Sequence, residues 1–237
     1  CLSQYPAKLY PYQPPITTSL RDDIFDLKMP TSGTPRSNNA RLSPQPHSYY
    51  QRGLSHIIVG SIAPVSGIFL PREIMILLLT GLTGVALILE TMRFSHEPLN
   101  QALAQHLKPL LKETEHCRVT GATHMIIGSL SCFLLFDSAI AVVALLFLSV
   151  GDPMAALIGR RAGGFRLFGK SPWGSLALFS TAATLSMILW SVGVATPLWV
   201  LIVGAGFAAL VELLPLYLDD NITIPIISGG VITLLAS

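Results

Sequence analysis

Charged residues are scarce in this chain of 237 residues. Asp, Glu, Lys and Arg make up 12% of it, whereas an ordinary soluble domain carries roughly 25%. The formal net charge is only +2, and no run of Lys or Arg forms the basic surface that nucleic-acid binding requires. The composition therefore argues against a soluble enzyme and excludes nucleic acid as a partner.

Several sequence signals of familiar chemistry are also missing. The three cysteines, Cys1, Cys117 and Cys132, have neither a CxxC spacing nor a histidine at metal-ligand distance, so neither a zinc site nor a disulfide framework is predicted. The chain has no GxxxxGK[ST] phosphate loop and no GxSxG nucleophile elbow. The chemistries that depend on those motifs are therefore not predicted.

Residues 1–51 contain little that could form a core. They are rich in Pro, Ser, Asn and Gln, a composition that buries too little apolar surface to offset the entropy of ordering. We expect a disordered tail here, followed by a membrane-embedded domain over residues 52–237. The tail lacks the apolar stretch of a signal peptide, and the chain opens with Cys1. We therefore expect a fragment or an overextended reading frame, with Met29 as a candidate start.

Long uncharged apolar runs fill the sequence after the tail. A bilayer core about 30 Å thick needs about 20 helical residues, so the run at 171–211 must hold two spans, with the turn at the GVATP stretch of 193–197. The runs predict an all-α, polytopic transmembrane bundle of about seven spans with no sheet. They cover residues 54–70, 74–89, 119–136, 138–151, 171–211 and 221–237.

Positive charge is unevenly divided between the two sides of this predicted bundle. With the tail inside, 14 of the 15 Lys and Arg residues fall on the inner side, and only Arg72 falls outside. Because positively charged loops stay cytoplasmic, we expect the connections 92–118, 152–170 and 218–220 to be cytoplasmic. The outer connections are short, so we expect the active site on the cytoplasmic face.

Residues 97–113 have an amphipathic pattern. Their apolar side chains recur at spacings of three and four, which predicts a helix lying in the membrane interface. Such a helix could either join two spans or cover a lipid site. The apolar positions are Leu99, Ala102, Leu103, Leu107, Leu110 and Leu111.

An acidic residue interrupts the apolar runs at Gly151, Asp152 and Pro153. Asp152 before Pro153 is typical of a helix N-cap with proline in the first turn, and Gly159 would lie on the same face as Asp152. An acid at a membrane boundary is costly unless it has a partner or a role, so we interpret Asp152 as functional rather than as a cap alone. Its carboxylate could hold Mg²⁺, which prefers oxygen ligands and bridges nucleotide phosphates.

Bases and glycines follow Asp152 in close succession. Flexible backbone N–H groups near cations are what polyphosphate binding needs. The plainer interpretation is a cytoplasmic loop whose bases only set the topology and whose glycines make turns. The segment contains Arg160, Arg161, Gly163, Gly164, Arg166, Gly169, Lys170 and Ser171.

A second polar cluster follows the longest apolar run. Glu212 ends that run, Asp219 would lie two turns later on the same face of a continuous helix, and Asp220 and Asn221 come next. The connection has no Lys or Arg, so its carboxylates need a cation from the 160–170 loop or from a metal. The alternative is that Asp219 and Asp220 only cap the last span.

Two smaller signals lie at the inner ends of the first two spans. Glu90 and Arg93, three residues apart, predict a local ion pair. Arg52 and His56 open the first span. His56 is either a helix-end residue bonded to the backbone, which we favour, or a base or phosphate contact.

These blocks resemble the CTP-dependent lipid-alcohol kinases, a family that comprises dolichol kinase, phytol kinase and CTP-dependent diacylglycerol kinase. The resemblance covers about residues 52–237, and its third and fourth blocks together are the most specific. The blocks are RGLSH at 52–56, ETMR at 90–93 with ETEHCRVTGATHMIIGSL at 113–130, GDPMAALIGRRAGG...FGKSPWGS at 151–175, and ELLPLYLDDNITIP at 212–225.

The resemblance implies an integral membrane enzyme that transfers the terminal phosphate of CTP to a lipid hydroxyl with the help of Mg²⁺. The lipid alcohol could be dolichol, phytol, undecaprenol or diacylglycerol. The candidate catalytic residues are Asp152, Glu212, Asp220 and Asn221. Asp152 and Asp220 are the candidate metal ligands, although one of the carboxylates could instead accept the hydroxyl proton. The candidate CTP contacts are Gly151, Gly159, Arg160, Gly169, Lys170 and Ser171.

One departure from the family pattern concerns Trp173. The family usually has Lys-Ser-x-Glu-Gly-Ser, and Trp173 stands here in place of the Glu. The related phosphatidate cytidylyltransferases share a similar Gly-Asp and Lys-Ser region, but their closing HGG...D-R-x-D signature is absent here, which favours the kinase. A transporter with ion-coupling acids is the third alternative. It would need acids near mid-span in two repeated halves, and no repeat is visible.

Overall fold

The computed structural model describes residues 46–95 and 119–237, with side chains from Tyr50 onward in the first of these ranges. The expected disordered tail before residue 46 and the expected amphipathic helix at 97–113 lie outside the described residues. Within them every named element is a helix, and the only β-type pairing is an isolated bridge between Leu167 and Lys170. The helices are α1 (Pro46–Phe69), α2 (Arg72–Ser95), α3 (Gly121–Leu135), α4 (Ser138–Leu146), α5 (Asp152–Arg161), α6 (Pro172–Ser191), α7 (Leu198–Leu213) and α8 (Asp220–Ala236).

The predicted all-α membrane bundle is confirmed as a fold class. A π-helical turn at Phe147–Gly151 joins α4 to α5, so that Ser138–Arg161 is one rod and the described residues form seven rods. Four of the rods are long and apolar enough to cross a membrane: Tyr50–Phe69, Arg72–Ser95, Ser138–Arg161 and Pro172–Ser191. The other three are shorter and apolar. The count of seven crossings stays a prediction.

The core of the bundle surrounds α4. Six of the nine α4 residues are buried, because α1, α3, α6 and α8 pack around this helix. Phe147 and Leu148 in the π-helical turn continue the buried column. Cys132 on α3 is fully buried among apolar side chains, as its apolar surroundings in the sequence predict.

Apolar side chains cover the outside of α1 and α2. Ile58 is 58% exposed and Leu77 is 72% exposed, which in water would make a large apolar patch. In a bilayer such side chains face lipid at no cost. The two helices therefore have the surface expected of a membrane protein.

Small residues bring the helices that carry the polar cluster close together. A Cβ atom on Gly174 of α6 would lie 2.8 Å from the Ala155 carbonyl oxygen of α5. A Cβ atom on Gly128 of α3 would overlap the carbonyl oxygen of Asn221 on α8. Only glycine permits these two contacts, and both lie beside residues of the predicted site.

Arg72 joins two helices at the opposite end of the bundle. Its Nε donates to the Phe133 carbonyl at 2.8 Å, and its Nη2 donates to the Leu134 carbonyl at 2.9 Å. These are carbonyls of the last turn of α3, which have no partner within the helix. The start of α2 and the end of α3 therefore lie on the same side.

Two local expectations from the sequence are wrong. Asp152 is not the N-cap of a new helix, because the helix before it continues into α5 without interruption. The π-helical turn accommodates Pro153, which has no N–H to donate to the preceding turn. The helix from Glu212 does not continue to Asp219 either. It ends at Leu213, since Pro215 disfavours a helical conformation at the residue before it.

Candidate functional site

Three carboxylates from three helices meet at one end of the bundle. Asp152 is the first residue of α5, Glu212 is the last residue but one of α7, and Asp220 is the first residue of α8. One oxygen atom of each lies within 4.8 Å of the others. The structure therefore brings together the three acidic residues that the sequence singles out, and Asp220 rather than Asp219 is the partner of Glu212.

Lys170 supplies positive charge to this cluster. Its Nζ lies 2.9 Å and 3.1 Å from the two oxygens of Asp220 and 3.3 Å from Oε2 of Glu212. Burial alone would lower the pKa of Lys170, but the hydrogen bonds and negative charges of Asp220 and Glu212 together raise that pKa above its ordinary value. The expectation that the 160–170 loop provides a cation for the carboxylates is confirmed.

A tight turn holds Lys170 in position. Leu167 and Lys170 exchange two backbone hydrogen bonds of 2.9 Å, and the residues between them, Phe168 and Gly169, have positive φ angles of 53° and 84°. Two consecutive positive φ angles are typical of a tight hairpin turn, in which glycine avoids the steric cost. Gly169 therefore shapes the turn that carries Lys170.

The donor set fits a hard divalent cation. Ligand oxygens lie about 2.1 Å from Mg²⁺, so oxygens around one ion are roughly 3 to 4 Å apart. The spacing within 4.8 Å of Asp152, Glu212 and Asp220 needs only a small contraction to reach that geometry. Asp152 and Asp220 were the expected ligands, and the structure adds Glu212 to the same group.

A fourth polar side chain approaches Asp152 from α1. Nε2 of His56 lies 4.0 Å from Oδ2 of Asp152. Near the other end of α5, Arg160 lines a cavity between α1 and α5, and Arg161 donates a hydrogen bond to the Tyr50 hydroxyl. Asp152 therefore belongs to the carboxylate cluster and also lines this cavity.

The remaining predicted site residues have other neighbours. Asn221 donates from Nδ2 to the Gly121 carbonyl at 3.3 Å, so its side-chain amide bonds to α3 rather than to the carboxylates. A Cβ atom on Gly151 would meet Leu178 at 3.0 Å, and one on Gly159 would meet Ser171 at 3.2 Å. These two glycines therefore allow α6 to pack against the π-helical turn and α5. Asp219 caps α8 by accepting from the Asn221 N–H at 3.0 Å.

The Glu90–Arg93 pair is present and buried. Nη2 of Arg93 lies 2.7 Å from Oε2 of Glu90, and both residues are at most 6% exposed. Oε1 of Glu90 also accepts from the Thr120 N–H at 2.8 Å and from the Thr123 hydroxyl at 3.0 Å. The predicted ion pair is confirmed, and it ties α2 to the start of α3.

Sequence reasoning missed Tyr50, offered His56 as a site residue only in the less favoured alternative, and named Arg161 only as one of the bases after Asp152. His56 is separated from Asp152 by 96 positions, and no local pattern specifies that distance. The available signal was its position one turn after Arg52 at the start of an apolar run. Tyr50 falls in the segment expected to be disordered, so α1 begins earlier than the apolar pattern indicates.

Comparison with known proteins identifies distant relatives. An uncharacterized protein of Rickettsia prowazekii (strain Madrid E) is 27% identical over 171 residues, which cover 70% of this chain and 84% of that protein. The CTP-dependent diacylglycerol kinase 1 of Schizosaccharomyces pombe is 25% identical over 161 residues, 62% of this chain and 74% of the kinase. No family model and no solved structure matches the chain. The chain is thus distantly similar to a CTP-dependent lipid kinase.

Proposed function

We propose that this chain phosphorylates a membrane lipid alcohol with CTP as the phosphate donor. The observation that carries the proposal is the meeting of three carboxylates and Lys170 at one end of an apolar helical bundle. This arrangement has the donor groups that a metal–nucleotide complex requires, and four of the rods beside it are apolar enough to lie in a bilayer with a lipid. The distant similarity to a CTP-dependent diacylglycerol kinase supports the same reaction.

The proposed domain and location follow from this site. The proposed membrane-embedded kinase domain is residues 52–237, as the sequence predicts, extended back to Pro46, where α1 begins. The residues before Pro46 are the proposed tail. The cluster lies on the cytoplasmic side, because that orientation leaves 14 of 15 Lys and Arg residues inside. Cytoplasmic CTP would then reach the cluster directly. The acceptor is an alcohol of the polyprenol, phytol or diacylglycerol type.

The proposed reaction is an in-line transfer. The lipid hydroxyl oxygen attacks the terminal phosphorus of CTP, a new O–P bond forms, the bond to the bridging oxygen breaks, and CDP leaves. The hydroxyl proton passes to one of the three carboxylates. Lys170 turns from Asp220 toward the phosphates and offsets the charge that develops on the transferring oxygens.

Asp152, Glu212 and Asp220 would hold Mg²⁺ at the same place. The bound ion would neutralise phosphate charge and orient the terminal phosphate. Arg160 is the further candidate phosphate contact, because it lines the cavity next to Asp152. Gly169 and Ser171 would contribute through the backbone on either side of Lys170.

Product analysis tests this proposal. The purified chain in lipid nanodiscs is incubated with Mg²⁺, CTP labelled at the terminal phosphate, and a panel of dolichol, phytol, undecaprenol and diacylglycerol. We expect label in one of the lipids and release of CDP. Release of pyrophosphate from CTP with phosphatidate would instead indicate a cytidylyltransferase. Intact CTP binding with no label in any lipid would contradict the kinase proposal.

A further inference from the structure

A cavity of about 380 Å³ lies between α1 and α5, directly beside the carboxylate cluster. We call it the α1/α5 cavity. Asp152 lines the cavity and also belongs to the cluster. Asp152, Ala156 and Arg160 follow at four-residue intervals on α5 and therefore lie along one face of it. The small side chain of Ala156 leaves room between the carboxylate and the guanidinium.

The lining of the cavity has two parts. Its walls are apolar and include Leu54 and Ile57 of α1 and Leu157 of α5. Its polar groups include Arg52, Arg160 and Arg161, with His56 near Asp152. The Arg161 side chain also bonds to the Tyr50 hydroxyl and lies 5.6 Å from the centre of the Tyr50 ring. This contact joins α1 to α5 along the basic part of the cavity.

The cavity reaches the surface that α1 presents to lipid. Leu54 lines the cavity and is 59% exposed, and Ile58, one turn further along α1, is 58% exposed. Only 17% of the apolar window of α1 is buried inside the bundle. A molecule in the bilayer can therefore approach the cavity sideways, past α1, without crossing water.

In-line transfer requires the lipid acceptor and the CDP leaving group to lie on opposite sides of the transferred phosphate. The attacking oxygen and the leaving oxygen are on opposite sides of the phosphorus. Lys170 contacts Glu212 and Asp220, whereas the α1/α5 cavity meets the cluster at Asp152. If the nucleotide phosphates bind on the Lys170 side, the acceptor must arrive from the cavity side.

We propose that the α1/α5 cavity binds the acceptor lipid, with its hydroxyl at Asp152 and the first carbons of its chain along Leu54, Ile57 and Leu157. The arginines then hold the phosphate monoester that forms. The anionic product can form ion pairs with their guanidinium groups, which the neutral alcohol cannot. The apolar walls favour an amphiphile over a nucleoside. This inference rests on the proposed kinase function.

Filling the cavity tests the proposal kinetically. Leu157→Trp should raise the KM for the lipid on the order of tenfold while the KM for CTP changes less than about twofold. Ile158→Trp is the matched control, because Ile158 is the next residue on α5 and does not line this cavity. It should leave both constants near normal. A rise in the KM for CTP alone would assign the cavity to the nucleotide and overturn the proposal.

A second measurement does not depend on turnover. Diacylglycerol with a diazirine close to the glycerol is photolysed with the full chain in nanodiscs, and the labelled peptides are identified. We expect labelling of residues 50–57 and 153–161 that unlabelled diacylglycerol suppresses and that Leu157→Trp or Gly53→Leu reduces. Labelling confined to the apolar groove beside Trp173 between α5 and α6, or no saturable labelling, would overturn the proposal. Saturable labelling of the cavity in a chain that transfers no phosphate would instead reject the kinase function alone.

Discussion

Asp152 is the residue that connects the two halves of the proposed site. Its carboxylate belongs to the cluster with Glu212 and Asp220, and it lines the α1/α5 cavity. Its side chain is only 27% exposed and lies beside two other carboxylates, and like charges at this distance repel each other. A position of this kind is more easily explained by function than by stability.

The first prediction concerns Asp152→Asn. The amide keeps the size and the hydrogen-bonding capacity of the side chain but binds a divalent cation weakly, so transfer activity should fall by about a hundredfold or more. Thermal unfolding of the purified variant should be close to that of the parent chain. The control is Asp219→Asn, because Asp219 caps α8 and asparagine caps equally well. Activity close to normal in Asp152→Asn would leave the residue with a structural role only.

The second prediction concerns the ammonium group of Lys170. A divalent cation at Glu212 and Asp220 would occupy the place that Nζ now takes, and the two positive charges repel each other. Lys170→Met keeps the aliphatic stem and removes the competing charge. Without nucleotide, the variant should therefore bind Mn²⁺ about tenfold more tightly than the parent chain, as measured by electron paramagnetic resonance.

The same variant should use CTP poorly. If Lys170 stabilises the transferring phosphate, Lys170→Met raises the KM for CTP or lowers turnover by about tenfold to a thousandfold. Arg166→Met is the comparison, since Arg166 is exposed and its Nη1 bonds only to the Gly169 carbonyl among the contacts described. Equal, small effects in both variants would indicate that only the overall positive charge of the loop matters. That result would contradict a specific role of Lys170 at the phosphate.

At the scale of helices, glycine contacts position the cluster. Gly128 on α3 lies against the Asn221 carbonyl at the start of α8, next to Asp220. Glu90 on α2 holds the start of α3 in place, because its carboxylate accepts hydrogen bonds from Thr120 and Thr123. The position of Asp220 therefore depends on contacts between α2, α3 and α8 that involve no substrate.

The third prediction is that Gly128→Ala destabilises the bundle. The new methyl group must push α3 away from α8, at a cost of roughly 1 to 3 kcal/mol, which thermal unfolding in detergent would measure as a lower Tm. Gly84→Ala is the control, because apart from the neighbouring residues and local backbone of α2 itself no atom of the described residues lies within 4 Å of a Cβ placed there. A Tm for Gly128→Ala equal to that of Gly84→Ala would show that the α3–α8 contact tolerates a larger side chain.

Most of the helices could be predicted from the sequence, but two connections could not. Apolar runs specify helices because any segment in the hydrocarbon core must satisfy its backbone hydrogen bonds internally. The run 171–211 divides at 193–197 as its Gly and Pro predict, and Gly193 there has a φ of 102°. The passage through Pro153 depends on a π-helical turn, and the end of α7 at Leu213 depends on Pro215. Neither follows from hydrophobic periodicity.

The candidate site was predictable in part for a related reason. Asp152, Glu212, Asp220 and Lys170 could each be selected because a charge beside an apolar run is costly without a role. Their mutual distances depend on how α5, α7 and α8 pack, which the local sequence does not specify. His56 is an example of what the sequence does not show. A histidine at the start of a span is common, and its proximity to Asp152 depends on the packing of α1 against α5.

At the scale of the whole molecule, the charged side chains of the proposed site lie together at one end of the described bundle. The Lys170 loop and the carboxylates lie at the ends of α5, α7 and α8, while Arg72 caps α3 at the opposite end. The described part of the chain thus has one end that carries the proposed site and an opposite end at which Arg72 caps α3. The distribution of Lys and Arg predicts that the end with the proposed site is cytoplasmic.

The fourth prediction tests this orientation. In a chain whose native cysteines are replaced, Phe165→Cys and Ala195→Cys are compared with a membrane-impermeant thiol reagent, because both positions are exposed. Position 165 should react only from the cytoplasmic side and position 195 only from the outer side. Reaction of position 165 from the outer side would contradict a cytoplasmic active site.

The π-helical turn at Phe147–Gly151 makes the spacing of the chain, and not only its composition, a requirement of the site. A π-helical turn contains one residue more than the α-helical turn it replaces. The wide turn absorbs this extra residue, so that α5 keeps nearly the phase it would have if the residue were absent. If the same residues formed regular α-helical turns instead, everything after them would be rotated by about 100° relative to α4. Asp152 would then turn away from Glu212 and Asp220 although every side chain of the cluster was still present. A homologue one residue shorter here would need a regular α-helical turn in place of the π-helical one to keep its motifs aligned.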